Sequence, residues 1–201
     1  MNYLILLAAG KGSRFGANKL LAPFRRCPLW TYGYRALKEA AKKAGGRVIV
    51  VSRYPEILAE VPEEGVFSPE SENGLSFSIR AGVLSCGELA AGDKLLFLAA
   101  DMPFLTAETV QKLLETPLSA SEKDGLPLAA CTFDGEETGN PVVFSALLRE
   151  KLLSLTGDRG GKAILRDCPD RVEKILCAKE ELTDVDHPSD LTEKTEDNKK
   201  G

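Results

Sequence analysis

The chain has 201 residues, of which 43% are hydrophobic and 28% charged, with a formal net charge of −4 at pH 7. This is the composition of a soluble globular protein, long enough for one α/β domain with a proper core and too short for two comfortable ones. The N-terminal apolar run is far shorter than a membrane-spanning helix, and no basic residues precede it, which argues against a membrane segment and a secretory leader. We therefore expect a cytoplasmic protein without a membrane partner.

Cysteine and histidine usage excludes several kinds of site. The five cysteines are odd in number and scattered, with no C-x-x-C pair, so we expect reduced thiols rather than disulfides or a metal centre. His187 is the single histidine, so a Ser-His or Cys-His catalytic pair would have to use this residue.

Charge is unevenly distributed along the chain. Residues 1–38 contain seven lysines and arginines and no acid, whereas the remaining 163 residues carry 19 cations against 30 acids. A nucleic-acid-binding protein would need a broad basic face. A short basic segment on an acidic body favours a local anionic ligand instead, and we expect no nucleic-acid partner.

The first predicted element is a buried strand over residues 3–9, which leads into a glycine-rich loop. Glycines can take φ > 0 and let the backbone approach a ligand, so that loop N–H groups point at phosphate oxygens. The loop contains three glycines and three cations, namely Gly10, Gly12, Gly16, Lys11, Arg14 and Lys19. A strand followed by such a loop predicts a polyphosphate site.

Two known phosphate loops fit this spacing poorly. A Walker loop ends in Gly-Lys-Ser/Thr, which the chain lacks. The dinucleotide fingerprint is nearer, because the glycines read G-x-G-x-x-x-G, and Tyr34 with Lys38 imitates the Y-x-x-x-K pair of short-chain dehydrogenases. That fold requires a helix from the second glycine, which Asn18 and Pro23 disfavour, and an acid after the second strand, where none follows. A dehydrogenase is therefore the weaker interpretation.

Residues 7–20 read L-A-A-G-x-G-x-R-x-G-x-x-K-L and resemble the signature of the nucleotidyltransferases related to molybdenum cofactor cytidylyltransferase. The resemblance implies that the loop wraps a nucleoside triphosphate and that its two signature cations bind phosphates and act in catalysis. The implied nucleotide-binding residues of this segment are Leu7, Ala8, Ala9, Gly10, Gly12, Arg14 and Lys19. The chain departs from the family at Phe15, where methionine is commoner, and at Cys27, where glycine often stands.

An amphipathic helix is predicted over residues 29–43, with Pro28 in its first turn and two glycines after its end. Residues 47–52 are a second buried strand, and unbroken apolar runs of this kind predict a parallel sheet covered on both faces. A short helix over residues 55–61 and a short strand over residues 66–68 follow.

Asn73 and Gly74 predict a turn, and residues 76–86 the helix after it. By sequence physics alone, a capped helix is the simpler interpretation. The segment G-L-S-x-S-I-R-A-G also resembles the family's base-binding stretch, which implies that Gly74 lies at the nucleotide and that Ser78 touches the pyrimidine edge.

Residues 94–100 are the most hydrophobic strand, which we expect at the centre of the sheet, and a helix begins near Thr106 and runs to about residue 115. Asp101 follows the strand, where α/β sheets bind ligands, although a structural Asp that caps the next turn is the alternative. In the family, A-D-x-P at this place holds magnesium, so the resemblance implies that Asp101 is a metal ligand and a catalytic residue.

The next elements are a strand over residues 126–133, a loop over residues 134–141, a strand over residues 142–144 and a helix over residues 146–155. The loop breaks the βα rhythm, which is typical of an active-site wall or lid. Residues 157–162 resemble the family's G-D-x-G-A-R turn. The resemblance implies that Asn140 in the loop and Asp158 in the turn face the second substrate, the acceptor.

An edge strand is expected over residues 172–177. Residues 184–191 resemble the family's D-x-D-T-P-E-D-L, which implies that Asp186 is the second metal ligand. Acids in such a stretch are also typical of helix N-terminal caps, and Asp190 fits that role. We expect one domain over residues 1–191 and a polar tail over residues 192–201.

Over residues 4–191, the resemblance implies a three-layer α/β/α, Rossmann-like nucleotidyltransferase fold of the glycosyltransferase-A kind, with a mostly parallel central sheet. Residues 7–10 look like the cytidylyl branch, which implies Mg²⁺-dependent transfer of CMP from CTP to the phosphate of molybdopterin. The implied partners are CTP, a molybdopterin-type phosphate acceptor, and a molybdenum hydroxylase or its chaperone. Two alternatives stay open: a guanylyl, sugar-phosphate or polyol-phosphate nucleotidyltransferase of the same fold, and a non-catalytic nucleotide- or cofactor-binding partner of a molybdenum enzyme.

Overall fold

The computed structural model describes residues 1–10, 18–121, 123–186 and 190. In chain order, the strands are β1 (Asn2–Leu7), β2 (Pro23–Phe24), β3 (Cys27–Pro28), β4 (Arg47–Ser52), β5 (Gly65–Phe67), β6 (Lys94–Ala99), β7 (Ala129–Phe133), β8 (Thr138–Ser145) and β9 (Val172–Leu176). The α-helices are α1 (Trp30–Ala44), α2 (Pro55–Ala59), α3 (Leu75–Ser85), α4 (Ala107–Glu115), α5 (Arg149–Leu153) and α6 (Gly161–Asp167).

Seven strands form one sheet in the order β5-β4-β1-β6-β8-β7-β9, while β2 and β3 pair as a separate ribbon. The neighbours β5-β4, β4-β1, β1-β6 and β7-β9 are parallel, and β8 runs antiparallel to both β6 and β7. The predicted mostly parallel sheet is therefore confirmed, with β6 at its centre and β9 at its edge.

Helices cover both faces of the sheet, so the protein has two cores. Leu4 of β1 belongs to one core together with Leu37 of α1, and Ile5 belongs to the other together with Ile79 of α3 and Leu152 of α5. Alternate residues of β1 thus serve opposite faces, which is why the strand reads as an unbroken apolar run. The three-layer α/β/α arrangement is confirmed.

The predicted loop over residues 134–141 is wrong in its extent. β8 begins at Thr138, so Asn140 lies in a strand and only residues 134–137 form the turn. The Asp134 carboxylate accepts hydrogen bonds from the backbone N–H groups of Glu136 at 2.9 Å and Glu137 at 2.7 Å, which closes a tight hairpin. Because residues 138–140 are held in the sheet, this segment is a wall rather than a lid.

Two helix predictions also need correction, and one helix was not predicted. Pro28 lies in β3, where it pairs with Pro23, and α1 begins only at Trp30. The expected helix over residues 146–155 is a 3₁₀ turn, Ala146–Leu148, followed by the short α5. The turn after it continues into α6, which the sequence did not predict because the helix starts with glycine, a poor helix former.

Within the described ranges, no helix has both the length and the apolar character needed to cross a bilayer.

Candidate functional site

A cavity lies at the carboxyl ends of β1 and β6. The chain passes from β1 to β4 on one side of β1 and returns to β6 on its other side, and such a switch point is where open α/β sheets bind ligands. The cavity measures about 480 Å³, within the range of small-molecule sites. Eight of the residues singled out from the sequence line it, namely Leu7, Ala9, Gly10, Lys19, Gly74, Ser78, Asp101 and Asp158.

The loop after β1 is described only in part. Gly12 and Arg14, which the resemblance implies to bind nucleotide, lie outside the described residues. Ala8 does not line the cavity, because its N–H donates to the carbonyl of Val51 at 2.8 Å and its carbonyl accepts from the hydroxyl of Ser52 at 2.8 Å. A Cβ placed on Gly10 would meet no atom of the described residues within 4 Å. The φ of this glycine does not lie in the left-handed region.

Gly74 brings two distant segments together at the cavity wall. Its φ of +137° favours glycine, and a Cβ there would overlap the carbonyl group of Gly157 and approach the backbone nitrogen of Asp158 to 3.0 Å. The N–H of Ser76 also donates to the carbonyl of Gly157 at 3.0 Å. The start of α3 therefore packs directly on the turn before α6, and this contact places Asp158 at the cavity.

Ser78 is buried, and its hydroxyl belongs to a chain of serines. It donates to the hydroxyl of Ser71 at 2.8 Å, and Ser71 donates to Ser68 at 2.9 Å. Both Ser71 and Ser78 line the cavity. With its proton directed to Ser71, the Ser78 hydroxyl presents lone pairs to a ligand and can accept a hydrogen bond from it. No motif or spacing in the sequence pointed to Ser71.

Three carboxylates meet beside this cavity. Asp101, Asp184 and Asp186 each offer one oxygen, and these oxygens lie within 4.8 Å of one another. The N–H of Val185 donates to the carbonyl of Asp101 at 2.9 Å, and the Val185 side chain is buried in the core. In an extended segment, neighbours of a residue that points inward point the other way, so the D-x-D spacing presents both acids together. That alternation could have identified Asp184, which the resemblance did not single out.

Lys19 lies among these acids. Its ammonium is 2.8 Å from Asp101 and 3.1 Å from Asp186, and it donates to the carbonyl of Val185 at 2.8 Å. Burial by itself would lower the pKa of Lys19, but the two carboxylates outweigh burial and raise that pKa above its ordinary value. The side chain therefore stays charged and links the loop after β1 to both acidic segments.

The acid cluster suits a divalent cation. Although Asp184 is exposed, nearby protein atoms displace part of its water and raise its pKa, and the like charges of Asp186 and Asp101 raise it further. A carboxyl whose ionisation is opposed by its neighbours is stabilised in the charged form when a cation binds between them. Oxygen ligands of this kind are those that Mg²⁺ and Mn²⁺ prefer. These three aspartates are therefore the residues that fit a metal ion.

Glu181 holds the segment that carries two of the three acids. Its buried carboxylate accepts hydrogen bonds from the N–H of Thr106 at 2.9 Å, the hydroxyl of Thr106 at 2.8 Å and the hydroxyl of Thr109 at 3.0 Å. This contact ties residues 179–182 to the first turn of α4. The carboxylate of Asp190 accepts from the N–H of Asp186, which precedes it in the chain, at 2.9 Å, and the expected helix-capping role of Asp190 stays a prediction.

The two residues that the resemblance assigns to the acceptor line cavities that share residues with the first cavity. Asp158 lines both that cavity and a second one of about 640 Å³. Asn140 lines the second cavity and a third one of about 390 Å³, whose wall includes Asp101 and Asp184. The third cavity therefore shares a wall with the acid cluster, and Asn140 connects it to the second cavity.

The model of the MobA-like NTP transferase domain family matches residues 4–174. The chain belongs to this family. Its fold and the resemblance noted in residues 7–20 are thus those of a nucleotidyltransferase. The family match ends before Asp184 and Asp186, so two of the three clustered acids lie beyond it.

Several proteins are similar to this MobA-like chain over nearly its whole length. Purine catabolism protein PucB of Bacillus subtilis (strain 168) is 28% identical over 200 residues, with 92% of each chain covered. The structure of a nucleotidyl transferase from Methanothermobacter thermautotrophicus is 25% identical, with a TM-score of 0.71 and 94% of each chain covered. The structure of Rv0371c of Mycobacterium tuberculosis H37Rv, solved as a complex with manganese, is 19% identical and has a TM-score of 0.68. The match covers 94% of this chain and 95% of Rv0371c, and it shows the shared fold.

Proposed function

We propose that this member of the MobA-like family transfers a cytidylyl group from CTP to the phosphate of a molybdopterin-type acceptor. The observation that carries the reaction class is the contact of Lys19 with Asp101 and Asp186 at the wall of the nucleotide cavity. The choice of CTP and of the acceptor is supported by the resemblance of residues 7–10 to the cytidylyl branch, and the base contact by the resemblance of residues 74–82 to the family's base-binding stretch. We also propose that residues 1–191 form one domain.

The reaction joins two anions. An oxygen of the acceptor phosphate forms a bond to the α-phosphorus of CTP, the bond from that phosphorus to the bridging oxygen breaks, and pyrophosphate leaves with the electron pair. The acceptor phosphate is largely dianionic near pH 7, because its second pKa is about 6, so no histidine base is needed. The demand on the protein is to place the anions in line and to compensate their charge.

The chain's own residues meet that demand as follows. We propose that the loop after β1, with Arg14 and Lys19, binds the phosphates of the leaving pyrophosphate. Asp101, Asp184 and Asp186 would hold a divalent ion, preferably Mg²⁺, which when bound supplies positive charge beside the α-phosphate. Because Lys19 stays charged, it can stabilise the negative charge that develops on the leaving group.

The serine chain supports a preference for a base that donates a hydrogen bond. Cytosine carries an amino donor at N4, and the lone pairs of the Ser78 hydroxyl are available to accept from it. Uracil lacks this donor, so the site favours CTP over UTP.

The deciding experiment measures pyrophosphate release with Mo-molybdopterin and Mg²⁺, with CTP, GTP, ATP and UTP compared in parallel. We expect release with CTP. Lys19→Ala should lower kcat by about 10²-fold or more, because it removes a charge that acts on the transition state. Lys42→Ala, which removes an exposed cation of α1, should leave kcat unchanged.

A preference for GTP would overturn the base assignment and leave the reaction class in place. Silence of all four nucleotides, together with retained CTP binding in Asp101→Ala, would favour a nucleotide-binding partner without catalysis. Because the Bacillus subtilis relative is named for purine catabolism, a purine-oxidising molybdenum hydroxylase belongs among the partners to be tested for binding.

A further inference from the structure

Four cations surround the second cavity. Lys151, Arg159, Lys162 and Arg166 line this space of about 640 Å³, and none of them forms an ion pair with a described residue. Many other cations of the protein do form such pairs, as Lys19, Lys38 and Lys112 show. Two acids, Asp158 and Asp167, line the same space, so the four cations leave its wall with a net positive charge, which attracts an anionic ligand.

Lys162 differs from the other three cations in its position. It lines the second cavity and also the third cavity, the one whose wall includes Asp101 and Asp184. Asn140 is likewise shared by the two cavities. Lys162 therefore lies at the junction between a space large enough for the body of a substrate and the acids that fit a metal ion.

In-line attack fixes the side from which the acceptor must come. The leaving pyrophosphate lies toward the loop after β1 if that loop binds the triphosphate, so the attacking oxygen has to approach from the opposite side of the α-phosphate. The third cavity shares Asp101 with the nucleotide cavity, whereas its residues Asn140 and Lys162 do not line the nucleotide cavity, so we infer that it offers the approach for the acceptor. Asp134 and Glu137 also line this approach and would repel a phosphate, so a cation is needed there. Two lysines line it, and because Lys179 lies 3.7 Å from the carboxylate of Glu136, Lys162 is the one without an ion pair to a described residue.

We propose that Lys162 binds the attacking phosphate of the acceptor, a phosphate monoester whose body occupies the second cavity. The inference rests on the proposed nucleotidyl transfer and names the residue that positions its second substrate. In this role the Lys162 ammonium lowers the repulsion between the acceptor phosphate and the α-phosphate. The new oxygen–phosphorus bond forms as the bond to pyrophosphate breaks, and Lys162 gives up no proton.

The kinetic test compares Lys162→Ala and Lys162→Arg with the wild type, using whichever nucleoside triphosphate gives pyrophosphate release. A hydrogen bond between charged groups contributes about 1.5–3 kcal/mol, so we expect Lys162→Ala to raise the KM for the acceptor by about tenfold or more. The KM for the nucleotide should stay within about twofold, and Lys162→Arg should restore most of the acceptor affinity because it keeps the charge. Lys42→Ala is the matched control, since it removes an exposed cation from a helix outside the cavities.

An unchanged acceptor KM in Lys162→Ala, or an equal rise in both KM values, would overturn the proposal. A second measurement does not depend on turnover and thus separates failure of this proposal from failure of the proposed function. Inorganic phosphate is titrated into the full chain while backbone amide signals are followed by NMR. We expect shifts at residues 160–163 that disappear in Lys162→Ala and persist in Lys42→Ala, and shifts that remain in Lys162→Ala would contradict the assignment.

Discussion

Three carboxylates lie close together in the site, those of Asp101, Asp184 and Asp186. Lys19 forms ion pairs with two of them, Asp101 and Asp186. Each acid alone could be a helix cap or a surface charge, as the sequence allowed. Their mutual distance changes the interpretation, because clustered carboxylates oppose one another's ionisation unless a cation lies between them. At the scale of the residue, this cluster of acids therefore lowers the stability of the protein when no cation is bound.

Asp184→Asn tests this conflict between stability and metal binding. The pKa of Asp184 is raised in the folded protein, so as the pH rises above its ordinary value of 3.8 the unfolded chain releases the proton more readily, and folding becomes less favourable. We expect the variant to have a higher Tm than the wild type at pH 7.5 in EDTA. The difference should shrink as the pH is lowered toward 3.8.

With saturating Mn²⁺ the order should reverse, because an ion that binds only the folded state stabilises it by about 2.7 kcal/mol at a concentration of 100 Kd. Asp170→Asn is the control, because it changes an exposed 3₁₀ turn outside the acid cluster. Its Tm should equal that of the wild type both in EDTA and with Mn²⁺. A Tm of Asp184→Asn equal to that of the wild type in EDTA would contradict the interpretation.

At the scale of the element, short contacts between loops hold the site together. The start of α3 lies on the turn before α6 through Gly74, and residues 179–182 are tied to α4 through Glu181. Neither contact follows a regular strand or helix pairing. Each contact joins two segments that lie far apart in the sequence, and each depends on one residue, Gly74 in the first and Glu181 in the second.

Gly74→Ala tests the first of these contacts. The added Cβ would overlap backbone atoms of Gly157, which cannot move aside as a flexible side chain would, and φ of +137° is strained for alanine. We expect a loss of about 1–3 kcal/mol in the free energy of unfolding, measured by urea denaturation, and a weaker affinity for CTP. Gly92→Ala is the control, because a Cβ there would meet no atom within 4 Å. Equal free energies of unfolding for the two variants would show that the turn at residues 157–160 moves aside without loss of stability.

At the scale of the whole molecule, the chain beyond the family match completes the site. Residues 175–186 lie outside the matched range of 4–174, yet Val185 is buried in the core on the α1 side of the sheet and two of the three clustered acids flank it. The C-terminal segment is thus part of the fold and part of the candidate metal site at once.

A chain that ends at Cys177 should therefore be less stable than the full chain and should lose the response to metal. Loss of the buried Val185 side chain alone removes about 1.5 kcal/mol or more, and the contact of Glu181 with Thr106 and Thr109 is lost as well. Differential scanning fluorimetry with and without Mn²⁺ measures both effects. A chain that ends at residue 191 is the comparison, and it should behave like the full chain if residues 1–191 are the complete domain.

The sequence by itself determined the parallel strands and the character of the site. Unbroken apolar runs predicted the parallel strands and their two covered faces, and the glycine-rich loop after the first strand predicted an anion site, because both signals depend on neighbours along the chain. The position of Asp101 at the end of the central strand followed from the same local pattern. For these features the physics is short-range, so the order of residues is enough.

Only the tertiary structure decided what lies beside what. Asp184 joined Asp101 because Val185 is buried and bonded to the Asp101 backbone, and the Ser78 hydroxyl proved to be directed at Ser71. β8 became a full antiparallel strand because β6 and β7 flank it and pair with its backbone, whereas its own sequence suggested only three strand residues. Hydrogen-bond partners, register and like-charge neighbours come from segments far apart in the chain, and no local period carries that information.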